Sequence, residues 1–174
     1  MRTHSSHLVS RLVVLLALGA SVAQAQDEPA PTPAPARTAD VRVERLLKEI
    51  AAEHTVDEDG DFRLVYDIGG GRSQLVWIPS GTSDFGALEI RQVWSIAHRS
   101  QGPLPADLAN RLLDRNGAVI LGAWLIEPAG DEIGVIFAVQ LAAETDALSL
   151  RSAIHAVATT ADAMELELTG KDDF

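Results

Sequence analysis

Cysteine is absent from the chain, so neither a disulfide nor a lipid anchor on a mature N-terminal cysteine can form. Only two lysines occur, Lys48 and Lys171, and neither follows a serine at the spacing of a Ser-x-x-Lys catalytic pair. Aromatic residues make up only 5% of the chain, and the largest are Trp77, Trp94 and Trp124. Because no disulfide can form, stability is expected to come from the burial of apolar surface alone.

No apolar run is long enough to span a bilayer, which takes about 20 residues. The short run at residues 12–18 follows Arg2 and Arg11 and precedes Ala-Gln-Ala at residues 23–25, the small-x-small pattern of a cleavage site. We therefore predict a signal peptide over residues 1–25. The mature protein is expected in the periplasm or outside the cell, without insertion into the membrane.

Acidic residues outnumber basic ones by 25 to 14, for a formal net charge of −11. Removal of residues 1–25 takes away Arg2 and Arg11 and no acidic residue, so the charge moves from −11 to −13. Nucleic acid and anionic membranes repel such a chain at long range, and we expect neither as a partner.

Residues 26–39 hold four prolines and no large apolar side chain. Such a segment cannot bury enough surface to offset its ordering entropy, so it is predicted to be a disordered linker. The remaining sequence, residues 40–170, has the length of a single domain of ordinary size.

Apolar residues at helical spacing predict three helices, at residues 40–53, 105–116 and 146–164 or beyond. Asp40 is a suitable N-cap and Pro105 a suitable first helical residue. Asn116 or Gly117 is expected to end the second helix in a left-handed conformation. Residues 164–168 alternate with period two, which leaves a short strand as the alternative to a longer third helix.

Alternating side chains predict five strands, near residues 61–67, 73–79, 86–97, 118–127 and 132–141. Three glycines at residues 69–71 are expected to form the first hairpin connection. The third strand alternates cleanly, with Trp94 and Ile96 on one face and Arg91 and Ser95 on the other. Such alternation is typical of an antiparallel sheet that has one face exposed to solvent and the other packed against the core.

The last two predicted strands are apolar on both faces. Trp124 and Ile126 alternate with Leu125 in the first, while Val135 and Phe137 alternate with Ile136 in the second. Such a pair does not fit a sheet that exposes one face to solvent. A helix, a second subunit or another partner is therefore expected to cover the second face.

The order helix, three strands, helix, two strands, helix predicts an α+β domain with an antiparallel sheet. Three segments accompany this order: DEDGD at residues 57–61, LANRLLDRN at 108–116 and IHAVATTAD at 154–162. Together they resemble the YbjN-like bacterial domain, whose fold is that of the type III secretion chaperones. The resemblance covers about residues 40–170, and none of its motifs is catalytic. It implies a small, often dimeric module that binds, chaperones or regulates other proteins, although the export signal departs from the cytoplasmic setting of secretion chaperones.

The spacing of Asp57, Asp59 and Asp61 invites comparison with a calcium-binding loop. An EF-hand needs glycine at its sixth position and glutamate at its twelfth, where this chain has Phe62 and Ile68. A tight acidic turn explains the cluster better, with calcium binding as the alternative.

Other candidate motifs favour ordinary turns. The segment GTSDFG at residues 81–86 is one residue too long for a nucleophile elbow and leads into a strand. The glycines at residues 69–71 also lead into a strand, whereas a phosphate-binding loop leads into a helix. His54, His98 and His155 lie too far apart for a metal motif. We therefore predict no catalytic residue, metal site or cofactor.

These features together predict an exported, non-enzymatic protein-binding module that forms a homodimer through its sheet or through a helix laid on it. Trp124 is the favoured interface residue, and Val135, Ile136 and Phe137 are the other candidates. One alternative is a small-ligand or lipid carrier with an apolar cleft beside Trp124 and Phe137. A second alternative is an enzyme whose site is assembled from distant carboxylates and histidines.

Overall fold

The computed structural model describes residues 38–174; the predicted signal peptide and most of the predicted linker lie outside the described residues. The helices are α1 (Val41–Glu49), α2 (Ala106–Asn116) and α3 (Ala147–Thr169). The strands are β1 (Thr55–Val56), β2 (Phe62–Gly69), β3 (Arg72–Ile78), β4 (Ser83–Phe85), β5 (Leu88–Gln101), β6 (Ala123–Ala129) and β7 (Glu132–Ala142). The predicted α+β class is confirmed, and two short strands, β1 and β4, join the predicted five.

The seven described strands form one antiparallel sheet in the order β1-β2-β3-β5-β7-β6, and β4 folds back onto the start of β5. The hairpin between β2 and β3 closes through three glycines with positive φ, at residues 69–71, as predicted. No described helix is long and apolar enough to cross a bilayer.

The three helices pack against one face of the sheet, which we call the inner face. Its buried strand residues include Val76, Val93, Val135, Phe137 and Val139, which share a core with apolar residues of all three helices. The opposite, outer face carries a smaller buried cluster, Ile96, Ile136 and Ala138, that includes no helix residue among those described. The sheet therefore has apolar residues on both faces but a helical layer on one.

Helix boundaries differ from the sequence prediction at several ends. Helix α1 ends at Glu49, before the predicted residue 53, because Ala51 takes a left-handed φ of 53°. Pro105 is the N-cap of α2 and precedes its first helical residue, and Gly117 ends α2 at φ −70°, so the expected left-handed cap is wrong. Helix α3 continues to Thr169, which confirms the helix over the strand alternative.

Strand β6 begins at Ala123, five residues later than predicted. Residues 118–122 form a loop instead, in which Ile120 is fully exposed. The loop ends at Gly122, whose φ is +91°. A Cβ there would lie 2.6 Å from the carbonyl oxygen of Ala138 and 2.8 Å from a ring carbon of Phe137. The chain can enter β6 against β7 only because this position lacks a side chain.

Gly122→Ala is expected to destabilise the protein by about 3 kcal/mol, because it adds a clash with the β7 backbone to the strain of a left-handed residue. Gly130→Ala is the matched control. It also has a positive φ, +65°, but faces open space, so it should cost only about 1 kcal/mol. Urea denaturation of both variants measures the difference, and equal losses would show that the close approach at Gly122 carries no energetic weight.

Candidate functional site

Strand β5 turns two of its polar residues toward the helices and two large apolar residues away from them. Arg91 and Ser95 lie on the inner face, while Trp94 and Ile96 lie on the outer face. The sequence alternation predicts the membership of the two faces correctly. The inner face of β5 thus mixes these polar residues with the buried Val93 and Ala97, which departs from the usual apolar-inward arrangement.

Burial of Arg91 is possible because each end of its guanidinium has an acceptor. Its Nη2 donates to Oδ2 of Asp40 at 2.5 Å, and its Nη1 donates to the carbonyl of Pro79 at 2.7 Å. An unpaired charge at such a site would be costly. Asp40 also accepts the N–H of Arg42 at 2.8 Å as the N-cap of α1, so one carboxylate joins the start of α1 to β5.

Arg42 adds a second guanidinium to the same carboxylate. It contacts Asp40 at 2.7 Å and both Glu89 and Glu144 at 2.8 Å. Hydrogen bonds from Arg42 and then from Arg91 hold the pKa of Asp40 well below its ordinary value, against the opposing effect of burial. Hydrogen bonds from Arg42 and Thr82 lower the pKa of Glu89 to about 2. The carboxylates of Asp40 and Glu89 are therefore ionised across the physiological pH range.

Gln74 and Ser95 join β3 to β5 where the backbone ladder is interrupted. The only backbone register pair between these two strands is Trp77 with Trp94. Beyond it, Nε2 of Gln74 donates to Oγ of Ser95 at 2.9 Å and to the carbonyl of Ile96 at 2.6 Å. The Ser95 hydroxyl donates to the carbonyl of Leu75 at 2.5 Å. The Ser95 hydroxyl and Nε2 of Gln74 are thus satisfied by holding the two strands together, while Oε1 of Gln74 is buried without a partner among the described residues.

The centre of the outer face is a pair of stacked indoles. The rings of Trp77 and Trp94 lie parallel, with centroids 4.5 Å apart and an interplanar angle of 6°. The guanidinium of Arg63 lies 5.7 Å from the Trp77 ring centroid, within the range of a cation–π interaction. Both indoles are half-buried, so part of the stack is accessible to a partner.

Apolar surface extends from the two indoles across several strands. Ile96, Ile136 and Ala138 lie almost fully buried against Trp77, Trp94 and Phe174, a cluster that we call the outer cluster. Further out, Val65 of β2 and Leu125 of β6 face the same side and are exposed. A contiguous apolar strip therefore crosses the sheet from β2 to β6.

Charge on the outer face is low and nearly balanced. The charged strand residues that register places there are Arg63, Arg99, Asp67, Glu127 and Glu132. Arg99 and Glu132 pair with each other at 3.6 Å. In a chain with a net charge of −11, this face carries little of the excess negative charge.

Residues 170–174, which we call the tail, reach the edge of this face. Gly170 ends α3 with a φ of 68° and redirects the chain. An oxygen of Asp172 accepts the N–H of Ser73 at 3.3 Å. Phe174 then packs on the outer cluster, with its ring centroid 6.0 Å from the Arg99 guanidinium. The chain itself thus covers part of the second apolar face.

Three carboxylates converge on Arg72 behind the tail. Its Nε donates to Asp162 at 2.7 Å, while its Nη2 lies 3.8 Å from oxygens of both Glu165 and Asp172. The three carboxylates offer oxygens within 4.8 Å of one another, as in a metal site. The guanidinium of Arg72 already supplies positive charge at this point, so the geometry is that of an ion-pair network.

Glu165 is the least satisfied member of this network. Its side chain is fully buried, its Oε1 accepts the N–H of Asp173 at 2.5 Å, and its Oε2 has no hydrogen-bond partner among the described residues. Burial raises the pKa of Glu165 above its ordinary value, although the nearby Arg72 opposes the change.

No protein-family model and no curated protein matches this chain. The function must therefore be argued from the surfaces of residues 38–174.

The four residues predicted as interface candidates lie on both sides of the sheet. Trp124, Val135 and Phe137 are buried on the inner face, where the rings of Trp124 and Phe137 meet edge to face with centroids 5.1 Å apart. Ile136 lies on the outer face in the outer cluster. A partner could reach the first three only by displacing the helices, whereas Ile136, although buried itself, lies on the face that no described helix covers.

The acidic segment at residues 57–61 forms the tight turn that the sequence predicts. Oδ1 of Asp57 accepts the N–H groups of Asp59 at 3.1 Å and Asp61 at 2.9 Å, and an oxygen of Asp61 accepts the N–H of Ser80 at 2.7 Å. Of the three histidines among residues 38–174, His54 bonds the carbonyl of Ala52 and His155 bonds the hydroxyl of Tyr66.

The sequence did not predict the pairing of Trp77 with Trp94 or the network around Arg72. The first depends on strand register, which the sequence does not display. The second had a visible signal, since Asp162 and Glu165 stand three residues apart within the apolar stripe of α3. Charged residues at buried helix positions call for a partner of opposite charge.

Asp40→Asn is expected to destabilise the protein by about 3 kcal/mol at neutral pH, because Arg91 would stay buried without its carboxylate. Because the pKa of Asp40 is lowered by folding, its contribution to the free energy of unfolding is complete above its unfolded pKa near 3.8. That contribution is lost as the pH falls through the lower folded pKa. The difference between variant and wild type should therefore shrink below about pH 4. Denaturation across pH measures it, with the exposed Asp84→Asn as control; a pH-independent difference would contradict the ion pair.

Glu165→Gln is expected to stabilise the protein at neutral pH, because it removes a buried charge that has one unpaired oxygen. Because folding raises the pKa of Glu165, its contribution to the free energy of unfolding is complete below the unfolded pKa near 4.5. That contribution is lost as the pH rises through the folded pKa. The gain from the variant should thus disappear in acid. The exposed Glu58→Gln serves as control, and a loss of stability at neutral pH would mean that Arg72 depends on an ionised Glu165.

Proposed function

We propose that this chain is an exported, non-enzymatic protein-binding module, chaperone-like or regulatory, that pairs with a second copy through its outer face. The observation that carries the proposal is the half-buried Trp77–Trp94 stack, with Arg63 beside it. The stack lies on a face that no described helix covers.

The composition of the outer face supports protein binding. Tryptophan and arginine are the residues most enriched among the energetic anchors of protein interfaces. Here they stand together at the centre of an apolar strip that runs from Val65 to Leu125. Apolar side chains scattered over a surface need no explanation, whereas a contiguous strip indicates a contact surface.

Electrostatics favours a second copy as the occupant. A symmetric dimer places the same patch of each chain against the other. Two mature chains that each carry a charge of −13 repel each other across most of their surfaces. The outer face holds two arginines and three carboxylates on its strands, so two copies meet there at the lowest electrostatic cost.

The resemblance of residues 40–170 to the YbjN-like domain points the same way, because it implies a small and often dimeric protein-binding module. Export follows from the signal pattern at residues 1–25. The carrier alternative has less support, since the rings of Trp124 and Phe137 pack against each other where its cleft would lie.

The purified mature chain, residues 26–174, is expected to be a dimer by sedimentation across a concentration series. Val65→Asp and Trp77→Arg place charge on the outer face and should weaken dimerisation at least about tenfold, or ~1.4 kcal/mol. Leu148→Asp is the matched control, because this exposed leucine lies on α3 away from the sheet; its dimer should be unchanged.

Circular dichroism and thermal melting confirm that each variant is folded. A wild-type chain that stays monomeric throughout the series would overturn the proposed dimer. So would equal weakening by Leu148→Asp, because the effect would then not depend on the outer face.

A further inference from the structure

The tail occupies a site that has the character of a peptide-binding site. Beyond the Trp77–Trp94 pair, β3 and β5 share no further backbone register pair, which leaves the N–H of Ser73 without a strand partner from β5. Asp172 accepts that N–H, and Phe174 covers the apolar surface beside it. A carboxylate and an aromatic ring two residues apart thus complete this part of the outer face.

The tail satisfies this site only in part. Nη2 of Arg72 is buried and has no hydrogen-bond partner among the described residues, since the nearest oxygen of Asp172 is 3.8 Å away. Glu165, which accepts the N–H of Asp173, is itself buried with one oxygen unpaired. Unmade hydrogen bonds at buried groups are costly. A segment whose carboxylate approaches Arg72 more closely would therefore bind better than the tail does.

The aromatic position is defined independently of these polar contacts. Phe174 rests on the outer cluster and beside the Arg99 guanidinium. An aromatic ring between apolar side chains and a guanidinium gains both apolar burial and a cation–π contact. The site therefore combines a receptor for a carboxylate, formed by Arg72 and Ser73, with a receptor for an aromatic ring.

We propose that this site is the docking position for an acidic–aromatic segment of a partner protein, with the pattern Asp-x-aromatic. The tail is then a built-in competitor that occupies the site until such a segment displaces it. The proposal rests on the proposed function, because it names the kind of segment that the outer face recognises. Gly170, in a left-handed conformation, is the point about which the tail leaves the site.

Peptide binding to a chain that ends at Gly170 tests the proposal. This variant, residues 26–170, keeps every described helix and strand. The probe is a fluorescently labelled peptide with the sequence of residues 168–174, LTGKDDF. It should bind the shortened chain with a Kd below about 1 mM, because the attached tail competes at an effective concentration on the order of millimolar. The full chain should bind it about tenfold more weakly.

Two altered peptides show whether the binding is specific. Replacing the phenylalanine with alanine, or the first aspartate with asparagine, should each weaken binding to residues 26–170 several-fold. Equal binding by either altered peptide would overturn the proposal. So would a folded shortened chain that does not bind the probe, or a full chain that binds it as tightly.

A second variant keeps the test decisive if the shortened chain does not fold. Phe174→Ala in the full chain removes the ring but leaves Asp172 and Asp173 in place. It should bind the probe more tightly than wild type and shift the emission of Trp77 and Trp94; unchanged affinity would overturn the proposal. Anisotropy on dilute protein reports peptide binding separately from the mass measurement, so failure of the docking site and failure of the dimer are distinguishable.

Discussion

The buried pairing of Arg91 with Asp40 is the interaction on which the rest of the structure depends. It allows a long central strand to turn a charged residue toward the helices, where such a residue is rarely tolerated. The same carboxylate caps α1, and Arg42 holds it ionised. Asp40 therefore joins the start of α1 to β5 and gives Arg91 a partner on the inner face of the sheet.

The consequence of this pairing appears on the other side of the sheet. Because successive strand residues alternate in direction, a strand with Arg91 and Ser95 inward must carry Trp94 and Ile96 outward. Trp94 then stacks on Trp77 of the neighbouring strand, and Ile96 joins Ile136 beneath them. The apolar outer face thus accompanies a polar group on the inner face, and the cost of burying Arg91 is offset by its ion pair with Asp40 and its hydrogen bond to the carbonyl of Pro79.

The tail connects this surface to the ion pairs around Arg72. Its backbone is held by Glu165 and its carboxylate lies near Arg72, while its ring lies on the outer cluster. Two buried polar atoms of this network, Nη2 of Arg72 and Oε2 of Glu165, have no hydrogen-bond partner among the described residues. A surface that is covered by a weakly satisfied segment of its own chain is well suited to exchange that cover for a partner.

Local patterns in the sequence determined the type and order of the elements: the apolar spacing of the helices, the alternation of the strands, the glycine turn at residues 69–71 and the doubly apolar β7. They did not determine which face of β5 meets the helices, because alternation separates the two sets without saying which is inside. Only the tertiary structure supplied Asp40, fifty-one residues away in sequence, as the partner that makes Arg91 an inner residue. The tertiary structure also decided which of the interface candidates a partner can reach. Trp124 is buried and Trp77 is available because of how helices and strands pack, and long-range packing of that kind leaves no local signal in the sequence.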